Sequence, residues 1–221
     1  MLKTNLSDIL LSDWLHTNQC FSVESITAHK AFCCLVTAYS SPKRYYHTLQ
    51  HIHSILSTID ILKNYVEDLP SVQLAAWFHD VVYNTHAQDN EEKSAEFAAD
   101  MLKDLAISSE NITKIKNLIL CTKTHQADNI DGQVLLDADL AILSADSVQY
   151  QEYTQAIRQE YAWVSETEYI TGRGKVLERF LQRPSIYFTS LMLESSEKLA
   201  RLNMMEELKF LKSQENLNTV S

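Results

Sequence analysis

Three glycines and three prolines in a chain of 221 residues constrain the fold more than any other feature of this sequence. Tight turns and hairpins draw on glycine, which alone adopts positive φ without steric cost. A chain this poor in it is expected to be all-α, with long helices and few connections. The same poverty excludes two nucleotide-binding devices. Gly172 and Gly174 are the only close pair and follow no strand, so neither a dinucleotide fingerprint nor a Walker-type loop is present. With 45% hydrophobic residues, a single domain over 1–221 around one sizeable core is expected.

Apolar residues recur at helical spacing along most of the chain. Leu6, Ile9, Leu10 and Trp14 mark a helix over 6–16, and a second follows Ser22 as N-cap to about 39. The Ser40-Ser41-Pro42 run ends it, and a third helix is expected from Arg44 to about 66. After Pro70 a central helix covers 71–82. Asp89-Asn90-Glu91-Glu92 reads as a capping box opening the next helix, and another spans about 109–123. A turn at 128–133 contains Gly132, and a second apolar stretch interrupted by acids covers 134–143. Helices are then expected over about 146–163, 167–181 (behind a capping box at Ser165-Glu166-Thr167-Glu168) and 194–212, before a polar, frayed tail from Gln214. No repeat or low-complexity segment interrupts the pattern.

The net charge of −10 and pI near 5.2 argue against a nucleic-acid polymer as partner, because the field repels a phosphate backbone. A small anionic substrate stays compatible, since a local metal or Arg group outweighs a global field. No apolar run reaches the ~18 residues of a membrane span. The N-terminus carries Asp8 and Asp13 and lacks a signal peptide's apolar core. Cys20, Cys33, Cys34 and Cys121 fit neither a C-x-x-C motif nor a disulfide framework, so buried or free thiols in a reducing, cytoplasmic setting are expected.

Against this background a set of polar residues sits in the most apolar helices: His47 and His51, the adjacent pair His79-Asp80, His125, and Asp137 with Asp139. An acid is rarely buried unless it is paired or binds a metal. The Leu74-Ala75-Ala76-Trp77-Phe78-His79-Asp80-Val81-Val82-Tyr83 stretch therefore calls for a partner to the pair. His47 and His51 are four residues apart, a little over one helical turn, so both are expected to face the same way; His53 points elsewhere. Each residue also has a plain structural explanation: a satisfied core histidine, a helix cap at Asp137, a dipole-compensating cation at His125. Their co-occurrence is what those explanations leave out. Imidazoles and carboxylates together suit a divalent ion such as Mn, Fe, Co, Ni or Zn, with Mg also allowed. Such an ion makes hydroxide available from bound water near neutral pH, so hydrolysis of an ester, above all a phosphate ester, is the reaction class implied.

The order His47, His79-Asp80, Asp139 resembles the H…HD…D signature of the HD superfamily of metal-dependent phosphohydrolases. Arg44-Tyr45-Tyr46-His47-Thr48-Leu49-Gln50-His51-Ile52 looks like its first-histidine helix, 76–83 like its doublet helix, and Leu135-Leu136-Asp137-Ala138-Asp139-Leu140 like its last-aspartate helix. The chain is similar to an uncharacterised bacterial branch of that superfamily, also through Asp89-Asn90-Glu91-Glu92-Lys93-Ser94-Ala95, Arg183-Pro184-Ser185-Ile186-Tyr187 and Ala200-Arg201-Leu202-Asn203. The resemblance implies an HD-type helical bundle with its core over about 30–145 and C-terminal helices over about 146–212. It implies His47, His79, Asp80 and Asp139 as metal ligands, with Asp80 also holding the attacking water. Asp137 is the rival to Asp139, which the pattern Ala138-Asp139-Leu140 favours. His51 and His125 exceed the minimal signature and are candidates for a second metal, phosphate contact or proton donation. Arg44 is the first phosphate candidate, followed by Lys93 and Lys123, with Arg173, Arg183 and Arg201 weaker. Glu91 or Glu92 is a candidate supporting base.

The function expected is metal-dependent hydrolysis of a phosphate ester on a small metabolite or nucleotide, with no membrane partner; a homodimer is compatible with it. The alternatives are a di-iron oxygenase of the same superfamily, for which His51 and His125 are available, and a non-catalytic metal- or nucleotide-binding module.

Overall fold

The computed structural model describes residues 5–218, and all their regular structure is helical. The elements are α1 (Leu6–Gln19), α2 (Ser25–Tyr39), α3 (Leu49–Leu62), α4 (Leu69–Phe78), α5 (Asn90–Asp104), α6 (Ser109–Cys121), α7 (Ile130–Asp139), α8 (Ser147–Glu160), α9 (Glu166–Leu181), α10 (Ser190–Ser195) and α11 (Glu197–Asn218). Short 3-10 turns follow α3 (Lys63–Tyr65) and α7 (Leu140–Ser144). The all-α expectation is met. The chain divides into two compact units, the first ending at Ala138 and the second beginning at Asp139. Among the described residues, no helix is long and apolar enough to cross a membrane. The expected frayed end falls partly on 219–221, outside the described residues, as do the first four residues of the N-terminus.

In the first unit α4 is the central element, packed against α1, α3, α5 and α6. A helix that is apolar all round belongs in a core, and the run from Leu74 to Phe78 is fully buried. Trp77 meets Trp14 at 5.4 Å and Phe32 at 5.9 Å between ring centroids, both edge-on. Pro70 sits in the first turn of α4, where its missing N–H costs nothing. Asp68 caps that helix, accepting from Ser71 N (3.2 Å), Ser71 Oγ (2.7 Å) and Lys114 Nζ (3.0 Å). Lys114 also pairs with buried Asp131 at 2.8 Å, and Asp131 accepts from Glu67 N at 2.8 Å. α6 and α7 thereby fix where α4 begins.

Burial pushes the Asp68 carboxyl up, but its bonds from Ser71 and Lys114 outweigh burial and hold it below the usual range. A depressed folded pKa adds stability at neutral pH that is lost as pH falls through it. Urea midpoints measured from pH 7 downward should therefore fall below the ordinary carboxyl range, and less so in Asp68→Asn; parallel pH curves would refute the assignment.

Several boundaries differ from those expected. α3 begins at Leu49 rather than near Arg44, because Thr48 is extended (φ −116°, ψ −177°) and its side chain accepts from Gln50 N. α4 stops at Phe78, so His79 is its C-cap and Asp80 lies beyond it. Tyr39 Oη donates to Trp77 O at 2.8 Å, taking the carbonyl that a continuing helix would offer to Val81 N, which bonds Phe78 O instead. Asp89 occupies the N-cap position of α5 without a capping bond, since its carboxylate pairs with Lys93 at 2.9 Å. Ser22 does not cap α2. It adopts φ 59°, and Glu24 is the residue before the helix. The expected turn at 128–133 is shorter, as Asn129 Oδ1 accepts from Gly132 N (2.8 Å) and α7 is under way at Ile130. A side chain at Gly132 would put Cβ 2.7 Å from that of Ala127, so close packing explains the glycine. Cys20, Cys33 and Cys34 are exposed and Cys121 is half-buried, so none is fully buried.

In the second unit α11 packs on α9 and on the 3-10 turn after α7. Asn203 Nδ2 donates to Leu143 O and Ala145 O, both at 2.9 Å, and the hydroxyl of fully buried Tyr187 donates to Leu140 O at 3.1 Å. These bonds hold the backbone leaving Asp139.

A candidate metal centre

The end of α4, the first turns of α3 and the approach to α3 bring three imidazoles around one carboxylate. Asp80 Oδ2 lies 3.0 Å from His79 Nε2 and 3.7 Å from both His51 Nε2 and His47 Nε2. His51 Nε2 and His79 Nε2 are 3.3 Å apart. His51, His79 and Asp139, the last residue of α7, form a group whose ligand atoms all lie within 4.8 Å of one another. The two histidines are buried, 4% and 2% exposed, whereas Asp139 is half-buried.

A hydrogen bond fixes what His79 presents to this group. Its Nδ1 is 2.9 Å from Ala76 O, and a carbonyl only accepts, so Nδ1 carries the proton. In the neutral ring Nε2 then offers a lone pair, 3.0 Å from a carboxylate oxygen. Two acceptors at that distance need a proton or a shared cation between them. Ligand atoms about 2.0–2.2 Å from one ion are roughly 3–3.5 Å apart at tetrahedral or octahedral angles. The His51–His79 and His79–Asp80 separations match that spacing. The donor set therefore fits a divalent cation, with His79 oriented by its second nitrogen as metal-binding imidazoles commonly are.

The backbone around the doublet is held from several sides. Arg44, partly buried, donates to His47 O (3.1 Å), Asp80 O (2.8 Å) and Val81 O (2.8 Å). Its guanidinium lies 4.9 Å from the Tyr39 ring and 5.4 Å from the Tyr83 ring. Ser94 of α5 bonds Val82 through both N–H and C=O. His47 stacks on Tyr83 at 4.1 Å, and Tyr46 lies against His47 and His51 at 5.0 and 4.7 Å. Tyr46 and Tyr83 form an aromatic wall that sequence reasoning missed. Their only signal was adjacency to His47 and to the doublet stretch.

The other candidates fall in different places. His47 precedes α3 and so does not share a helical face with His51; the bend at Arg44–Thr48 delivers it to Asp80 instead. Asp137 is fully buried in α7; the group of His51, His79 and Asp139 includes neither Asp137 nor Asp80 and His47. His125, half-buried at φ 50°, is also outside that group. Lys93 pairs with Asp89, and Lys123 pairs with Glu92 while donating to Gln88 O at 3.0 Å. Arg201 holds the 181–184 backbone through Leu181 O and Arg183 O, and Arg173 forks onto Glu207 at 2.7 and 3.0 Å. Arg183 covers the Phe180 ring at 4.6 Å. Comparison of the chain with family models, curated proteins and solved structures finds no match.

Proposed function

We propose that this chain is a metal-dependent phosphohydrolase of the HD type, acting on a small phosphorylated metabolite or nucleotide. The observation that carries this reading is the pair of buried imidazole nitrogens 3.3 Å apart, with Asp80 Oδ2 3.0 Å from one of them. His51, His79, Asp80 and Asp139 would hold the ion, and His47 stands at the edge of the set. When bound, a divalent ion polarises a phosphoryl oxygen and lowers the pKa of a coordinated water.

The chain's own residues supply the rest. His79 holds its proton on Nδ1 against Ala76 O, which keeps Nε2 a ligand atom. Asp80, 17% exposed at its side chain, would hold the ion through one oxygen and take a proton from the attacking water on the other. His47, 16% exposed and braced by Tyr83, is the imidazole best placed to return a proton to the leaving oxygen. Arg44 presents both groups by their backbones. The acidic chain repels polyanionic nucleic acid, which favours a small substrate.

The reading is tested on purified chain with a panel of sugar phosphates, nucleotides and other phosphomonoesters in the presence of Mn, Co or Ni. Phosphate release from at least one, abolished by chelator and restored by the ion, is expected. Chelation should also lower the melting temperature, because an ion that binds only the folded state stabilises it by mass action. No turnover across the panel, with no thermal shift on chelation, would overturn it. Iron at two per chain with an oxygen-dependent optical spectrum would favour the oxygenase instead.

A further inference from the structure

Helix α11 carries apolar residues on two opposite sides, and the outer one is exposed. Its inward side holds Ala200, Met204 and Leu211, all buried, and the helix packs on α9 and on the 3-10 turn after α7. At about 3.6 residues per turn, Lys198, Leu202, Met205, Glu206 and Lys209 fall together on the opposite side, with Leu199 and Phe210 at its margins. All seven are exposed. A helix face turned to water is ordinarily polar. Here Leu199, Leu202, Met205 and Phe210 are 39% to 61% exposed, and Leu191 and Leu193 of the preceding α10 are 39% and 37% exposed. At on the order of 200 Å² for a whole large apolar side chain, these six leave roughly 500 Å² of apolar surface in water. A standard interface takes about 800 Å² from each copy, about two-thirds of it apolar in homodimers, so the surface on offer is the size that a dimer uses.

The charges on that side say what fits it. Lys198 and Glu206 stand four residues before and four residues after Leu202, and neither makes an ion pair among the described residues. When two copies of one helix cross antiparallel, residues equally far either side of the crossing face each other. A crossing at Leu202 sets Lys198 against the partner's Glu206 and Leu199 against the partner's Met205, and two-fold symmetry makes each contact twice. Phe210 then runs toward the partner's α10. Other arrangements set like charges together. A parallel pair joins Lys198 to Lys198 and Glu206 to Glu206, and an antiparallel crossing one turn later faces the two Glu206 carboxylates. We propose that the outer side of α11 is a two-fold interface between two copies of this chain, antiparallel and centred on Leu202.

The experiment is sedimentation velocity on the full-length chain over about 1–100 μM, since interfaces of this size bind at micromolar affinity or tighter. Wild type should sediment as a dimer. Leu202→Glu places two carboxylates at the axis and should weaken association by at least about 100-fold, leaving monomer. Lys198→Glu and Glu206→Lys each turn both cross-pairs into like charges and should raise the dissociation constant about tenfold. The Lys198→Glu/Glu206→Lys double variant restores both pairs with their signs exchanged and should return to within about threefold of wild type. Far-UV circular dichroism of every variant should match wild type, because the three positions are exposed in the single chain. A wild type that is monomeric across the range overturns the inference, as does a dimer that withstands Leu202→Glu. Charge reversals without effect, or a double variant that does not recover, overturn it as well, since the two copies then do not meet in this register.

Discussion

Replacing Asp80 with Ala is expected to abolish phosphate release, with a loss of at least about 10³-fold, or roughly 4 kcal/mol of transition-state stabilisation. The size follows from position. Asp80 Oδ2 is close to all three imidazoles, at 3.0, 3.7 and 3.7 Å. Its removal takes away a ligand and the base for the attacking water together. The fold should survive the change. The turn carrying Asp80 is held through its backbone, by Arg44 at Asp80 O and by Ser94 at Val82. Metal-free wild type and Asp80→Ala should therefore melt within a few degrees of each other, on the order of what a partly exposed polar truncation costs. Phosphate assays and metal content per chain check the two halves separately. Wild-type turnover in Asp80→Ala would sink the phosphohydrolase reading, and Asp80→Asn, which keeps shape but loses charge, should sit close to the Ala variant.

How much of this centre the sequence carries differs residue by residue. Helicity was legible because glycine poverty and 3.6-residue periodicity are local signals. The His79-Asp80 pair stood out for the same reason, as polar residues in an apolar run. The spacing of His47 and His51 predicts neighbours on one helix, and they do converge near Asp80, but by another route. Thr48 starts α3 between them, and a bend folded onto Arg44 supplies the rest. That bend depends on carbonyls 36 and 37 residues further along the chain, which no local pattern encodes. The failed cap at Asp89 has the same cause on a smaller scale. Lys93 and, for Glu92, Lys123 compete for carboxylates that the motif assigns to backbone N–H groups. Arg173 looked like one more surface arginine, and only its partner 34 residues away makes it a buried one.

Arg44 is where the two kinds of signal give opposite expectations, and Arg44→Lys separates them. A phosphate-binding arginine replaced by lysine keeps its charge, so KM should rise while stability stays near wild type. A clamping arginine behaves otherwise. Its planar fork reaches His47 O, Asp80 O and Val81 O at once, at 3.1, 2.8 and 2.8 Å, and faces the Tyr39 and Tyr83 rings. An ammonium is a point donor on a flexible stem and cannot span that set. Hydrogen bonds from a charged donor to partly buried carbonyls contribute about 1.5–3 kcal/mol each before relaxation. Losing most of them should destabilise the chain by about 2–4 kcal/mol, visible in the urea midpoint. The same loss frees the His47 and Asp80 backbones, so kcat should drop about 10–100-fold with KM little changed, as when a support behind a metal ligand is removed. A large KM increase at unchanged stability would return Arg44 to the substrate. The clamp geometry predicts the reverse, because the atoms that would bind phosphate are already engaged in holding the turn that presents Asp80.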